Sequence, residues 1–238
     1  MKFFVSREFY EKKPLFQILK KHLPFLLILF GVVAFHLFEV NVIDPSVTDW
    51  VGHDFANNIR DFEGNIVFWF SQNWTPVLVY FFAIMYIAVY PFLLWFSPFY
   101  FLKTDDKKPI KALAYGSLFI YIGALPFYLF MPVTNVFTYY NVNSALETVF
   151  PSINSFFYST TTQNNCLPSL HTSMTILIAY SVSLTGNKKL TYLAYFTMIS
   201  VIISVIYLSI HWITDVISGA ILSVVVILIL KRLLREEE

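Results

Sequence analysis

Across 238 residues, 57% of side chains are hydrophobic and 19% aromatic against 13% charged, more apolar surface than one water-soluble core can hide. A formal net charge of +1, with no aromatic-rich basic patch, argues against nucleic acid as a partner. The single cysteine, Cys166, excludes an internal disulfide and a thiolate metal cluster, and reads as a small apolar filler.

The chain opens with about twenty mostly polar residues, and the apolar run that follows has no small-residue cleavage site, so it reads as an anchor and not as a removed signal peptide. Spans of about 20 apolar residues are expected at Leu23 to Val40, Thr75 to Phe96, Ile110 to Phe130, Pro168 to Leu184, Leu190 to Leu208 and His211 to Leu230. The second is ambiguous, because no charge falls between Glu63 and Lys103 and that length admits two helices. Charge placement decides for one. With six spans, fifteen of the sixteen basic residues share one side and only Arg60 lies opposite, which by the positive-inside rule makes both termini cytoplasmic.

The expected architecture is therefore all-α, a six-helix membrane bundle. Residues 1–22 form a cytoplasmic segment, 23–230 the membrane domain and 231–238 a charged tail. Two long outer segments, Asn41 to Trp74 and Met131 to Leu167, carry interfacial stretches. The aromatic residues of the second, Phe137, Tyr139, Tyr140, Phe150, Phe156, Phe157 and Tyr158, suit the headgroup level, either as a belt or as one wall of a lipid groove.

Polar chemistry interrupts the apolar pattern twice. In "CLPSLHTSM" (Cys166 to Met174), Pro168 suits a first helical position, so the stretch reads as the outer start of the fourth span. Its free N–H groups attract anions such as phosphate, Ser169 adds a hydroxyl, and His171 lies in the same turn. In "YLSIHWITDV", His211 and Asp215 are four apart and share a helical face. A carboxylate so placed keeps one imidazole nitrogen protonated and leaves the other its lone pair. Span parity brings His171 and His211 to the same membrane face, and ionisable groups inside spans are costly enough to mark a functional site.

"PSLH" (Pro168 to His171) with "SVIYLSIHWITDVISG" (Ser204 to Gly219) resembles the second and third motifs of the type 2 phosphatidic acid phosphatase superfamily, and within it the branch of the inositol phosphorylceramide synthases. The motifs and their intervening hairpin cover about the last third of the chain. The resemblance implies six helices with the motifs at one membrane face and an enzyme, lipid phosphatase or phosphotransferase, acting on a membrane lipid without cofactor or metal. It also implies His211 as the nucleophile of a phosphohistidine, Asp215 as its orienting group, and His171 as general acid and then base. Ser169 would hold phosphoryl oxygens.

The sequence departs from that pattern where the family's phosphatases supply cations. Position 205 is Val where they carry Arg, and "MPVTNVFTYY" has no basic residue where the first motif should end. Arg60 is the one outer-side cation, either folding over the site or pairing with Asp61 or Glu63. Asn135, Gln163, Asn164 and Asn165 are candidate neutral donors. Asp44, Asp49, Asp54, Asp61 and Glu63 share the face, yet their spacing matches no Ca²⁺ loop. His36 reads as a buried hydrogen-bonded residue, His22 as one of the cytoplasmic basic cluster and His53 as a possible headgroup contact. The competing readings are a small transporter or channel, disfavoured because its ionisable groups would lie near the midplane, and a haem protein ligated by His171 and His211.

Overall fold

A computed structural model describes residues 14–150 and 162–235, and Phe156, Phe157 and Tyr158 lie outside them. Among the described residues the chain is helical, relieved only by an isolated bridge between Val133 and Asn165. Among the described residues, five helices are long and apolar enough to cross a membrane: Leu15–Val51, Pro76–Lys103, Lys107–Phe130, Lys188–Tyr207 and Ile213–Arg235.

The first combines α1 (Leu15–Phe38), a π turn (Glu39–Ile43) and α2 (Asp44–Val51), so it starts earlier and ends later than its apolar run. Outside the membrane path come α3 (Ala56–Glu63) and α4 (Ile66–Gln72). The ambiguous second span is one helix, α5 (Pro76–Ile84) running through a π turn (Met85–Val89) into α6 (Tyr90–Lys103). Pro91, at the start of α6, lacks an N–H and crowds the preceding turn, and the wide turn just before it accommodates that loss. Next follow α7 (Lys107–Phe130) and two short helices, α8 (Val136–Tyr139) and α9 (Ala145–Val149). The last three are α10 (Leu170–Ser183), α11 (Lys188–Tyr207) and α12 (Ile213–Arg235).

The expected fourth span is the one that falls short of crossing length. Its 14 residues give about 21 Å of helix, short of the ~30 Å hydrocarbon layer, so on length alone α10 is not one of the five helices that qualify among the described residues. The shortening is compensated by burial, because α10 packs among α7, α11 and α12. Leu177, Ala179 and Val182 on it are wholly enclosed.

Packing is turned inside out relative to a soluble bundle. Phe30, Val77, Trp95 and Ile221 point outward, while Ser97, Ser117, Ser173, Ser181, Ser204 and Ser223 are buried between helices. Lipid rewards apolar exteriors, and small hydroxyl residues let helices approach while bonding back to carbonyls. Ser97 Oγ donates to the Leu93 carbonyl at 2.7 Å and Ser204 Oγ to that of Val201 at 2.8 Å.

The two ends of the bundle differ in chemistry. At one, Lys21 and buried His22 meet Asp105 at 2.7 and 2.9 Å, and Asn187 reaches the Tyr100 hydroxyl, so the starts of α1, α7 and α11 gather there with their lysines. At the other, α10 and α12 both begin, each preceded by a histidine-bearing or serine-bearing turn. A second apolar cluster of Ala56, Ile59, Val67, Val133, Val136, Cys166 and Trp212 joins the outer segments to this end.

Candidate active site

The turn between α11 and α12 explains how His211 is aimed. Ser209 adopts a left-handed backbone, φ 57°, and the N–H groups of Ile210 and His211 both donate to the Val205 carbonyl at 2.9 and 3.0 Å. This closure ends α11, and α12 restarts two residues after His211. Asp215, in the first turn of α12, receives the His211 Nδ1 proton across 3.3 Å and the Trp212 N–H across 2.9 Å. A carboxylate only accepts, so the proton sits on Nδ1 and the lone pair on Nε2. His211 is 4% exposed and Asp215 is fully buried. Trp212 anchors the turn, with its indole N–H donating to the Thr134 carbonyl at 2.9 Å.

His171 comes from the first turn of α10. Its ring centroid lies 5.8 Å from that of His211, the planes tilted by 59°. The helix begins two residues later than expected: Pro168 precedes the cap and Ser169 is the N-cap, its Oγ accepting from the Thr172 N–H at 3.3 Å. Pro168 instead offers its carbonyl to the buried Tyr128 hydroxyl at 2.8 Å. The Ser169 N–H is also engaged, donating to the Asp215 carbonyl at 2.9 Å, so part of the donor set expected to face an anion holds α10 to α12.

That union continues inward. Ser173 Oγ lies 2.9 Å from the carbonyls of both Ser169 and Gly219, and Ser223 Oγ lies 3.0 Å from those of Ser173 and Gly219. Gly219 is required for this approach, since a Cβ there would stand 2.5 Å from the Ser169 carbonyl oxygen. The separation of the imidazoles is thus set by two helices in backbone contact.

Two residues reach the site without any motif pointing to them. Tyr86, carried by the π turn, places its hydroxyl 3.1 Å from His171 Nε2. A phenol buried mid-helix needs a partner, but its sequence gives no hint of which. Glu63, at the end of α3, accepts from the Ile213 N–H at 3.0 Å and from the Thr214 N–H. It therefore seats a carboxylate on the start of α12, where N–H groups lack helical partners.

Arg60 does not fold over the imidazoles. It is paired with Asp61 at 3.1 Å, and its side chain is 44% exposed beside Tyr140. The amides expected as neutral donors also serve other groups. Asn164 and Asn165 donate to Thr48 and Glu39, Asn135 caps α8, and Gln163 accepts from Thr138. The acidic residues are dispersed in the same way: Asp44 is buried beside Thr48, Asp54 accepts from the Ala56 and Thr134 N–H groups, and Asp61 and Glu63 are engaged as above. Among the other histidines, His36 is half-buried, 3.7 Å from Glu39. His53 packs edge-on against Phe55.

For a metal, the best donor set among the described residues is Cys166, His211 and Asp215, whose ligand atoms lie within 4.8 Å of one another. Burial, and then the charges of Asp215 and Asp54, push the Cys166 thiol well above its usual range, which keeps it protonated. An ion there would take the carboxylate away from His211.

Comparison with protein families matches residues 60–229 to the PAP2 superfamily. The chain belongs to the PAP2 superfamily. Comparison with curated proteins and with solved structures finds no match. The match covers α3 through most of α12, so both histidines, Asp215, Ser169 and Arg60 of this PAP2 protein lie inside the family region. The superfamily includes membrane lipid phosphatases, and an integral membrane enzyme is the class to which the match and the apolar helices point.

Proposed function

We propose that this PAP2-superfamily protein cleaves a lipid phosphoester through a phosphohistidine and passes the phosphoryl-bearing group to water or to an alcohol. The observation that carries the reading is the pair of imidazoles 5.8 Å apart, one of which has the Asp215 carboxylate on its Nδ1. In the first half-reaction His211 Nε2 attacks phosphorus, the N–P bond forms, and the P–O bond to the lipid alkoxide breaks. His171 gives its proton to the departing oxygen. In the second half, the acceptor oxygen attacks phosphorus, its proton returns to His171, and the N–P bond breaks. Asp215 stabilises the imidazolium character of His211 as the N–P bond forms.

Such proton transfer is worth about 100-fold to 10,000-fold in rate, and stabilisation of charge on the phosphoryl oxygens contributes more. For that second term, Ser169 and the first turn of α10 are the proposed donors. Arg60 is the proposed mobile cation, reaching the site on exchange of Asp61 for substrate. The sequence of the third motif favours transfer to an alcohol in the manner of the inositol phosphorylceramide synthases. The crowding of lysines at the end remote from the histidines supports a site on the non-cytoplasmic face with both termini cytoplasmic.

The test supplies purified protein with radiolabelled lipid phosphate, with and without a lipid alcohol. Free phosphate alone identifies a phosphatase, and labelled lipid product identifies a transferase. Loss of turnover and of acid-labile, base-stable protein-bound label in His211→Ala is expected. A lipid panel that wild type and His211→Ala leave equally untouched overturns the reading in favour of a carrier.

A further inference from the structure

Each imidazole of the pair has its own partner, and the two partners differ in chemistry. His211 has the Asp215 carboxylate, which can only accept a hydrogen bond. His171 has the Tyr86 hydroxyl, 3.1 Å from Nε2 with ring centroids 4.8 Å apart, and Tyr90 flanks the same imidazole at 5.6 Å. Tyr86 is 2% exposed and sits on a different membrane helix from either histidine.

We propose that Tyr86 is the positioning residue that makes His171 the acid–base partner in this reaction. The inference rests on the phosphohistidine reading and adds to it a residue that no motif of the chain names. A carboxylate favours the charged imidazole and suits a nitrogen that must become quaternised on attack. A phenol is neutral and has both a donor and an acceptor. When His171 is protonated, Nε2–H donates to the phenol oxygen; when Nδ1 has given up its proton, the neutral ring keeps the proton on Nε2 and the same bond persists. The ring is therefore held in one orientation through both halves of the cycle, and the nitrogen on the opposite edge, Nδ1, exchanges the proton with the leaving oxygen and then with the acceptor.

The local fold explains how this residue arrives there. The π turn Met85–Val89 inserts one extra residue into the helix, and Tyr86 and Tyr90, four apart and so on one face, both meet His171. A regular helix through this segment would carry the two side chains around the helix axis relative to the rest of α5.

The experiment compares two phosphoesters of one lipid-like phosphate, an alkyl ester and a p-nitrophenyl ester, in wild type, Tyr86→Phe and the remote control Tyr192→Phe. An alkoxide needs a proton to leave, whereas p-nitrophenolate does not. The expected result, read as the single-turnover rate of the first half-reaction, is a fall of about 10- to 100-fold on the alkyl ester, with KM within about twofold, and a near-normal rate on the activated ester. Equal loss on both esters, or none on either, overturns the proposal, the first outcome marking a structural role. A second readout needs no turnover: ¹⁵N signals of the His171 ring in labelled protein are expected to show one fixed tautomer in wild type and averaging in Tyr86→Phe. Identical ring signals in the two overturn the proposal. A wild type inactive on both esters counts against the phosphohistidine reading alone, and the ring signals then decide the role of Tyr86.

Discussion

Asp215 and Glu63 show how differently two carboxylates act at one helix start. Asp215 is buried and committed to His211 Nδ1 and the Trp212 N–H. Asp215→Asn keeps the shape but presents an amide that can offer the wrong partner to the imidazole. Loss of kcat on the order of 10³- to 10⁴-fold is expected, by analogy with the same exchange in a Ser-His-Asp triad, and initial rates together with trapped phosphoprotein check it. Glu63 touches backbone, not imidazole. Glu63→Ala removes two charge-assisted bonds, and a destabilisation of roughly 1.5–3 kcal/mol is expected, read as a lower thermal midpoint in detergent. Arg60→Ala breaks only an exposed pair, so an unchanged midpoint is expected, and any loss of turnover then reports its reach toward substrate.

Between elements, the decisive contact is that of α10 with α12. Gly219→Ala introduces a methyl group 2.5 Å from the Ser169 carbonyl oxygen, a backbone atom that moves only if α10 moves. A displacement of about 1 Å at the reacting groups can cost about 100-fold in rate. We therefore expect Gly219→Ala to insert and remain helical by circular dichroism while kcat falls by about that factor. Gly219→Ser, larger still, should be worse. The helices themselves were legible in the apolar runs, a short-range pattern, and the pairing of His171 with His211 in span parity and the resemblance of the two motifs. The π turns, the Tyr86 contact and the Glu63 clamp were not. An almost uniformly apolar helix has no periodicity to reveal a change of face, and these contacts join residues 85 and 150 positions apart. The shortness of α10 was legible too: polar residues flank it on both sides, and Ser169 caps it where the Leu184 to Asn187 turn ends it.

For the whole molecule, polarity along the bundle axis is the property that matters to a lipid enzyme. Lysines mark one end, and the histidines with the aromatic outer segments mark the other. In intact cells, a membrane-impermeant maleimide is expected to label Asn57→Cys but not Lys188→Cys in a Cys166→Ala background, and both after permeabilisation. The reverse pattern would place the site on the cytoplasmic face. Cys166 is 4% exposed, so its replacement serves only to clear the background.

Val205 has an implication for anyone hoping to repair the missing guanidinium by a single exchange. Its side chain is wholly enclosed in the aliphatic core, and its carbonyl is the peg on which the turn into His211 hangs. An arginine installed there would have five N–H donors to satisfy in hydrocarbon, at a cost of several kcal/mol, and would sooner pry the turn open than greet a phosphate. Engineering an arginine there must therefore begin with the neighbouring helices, so that the residue's surroundings change before its identity does.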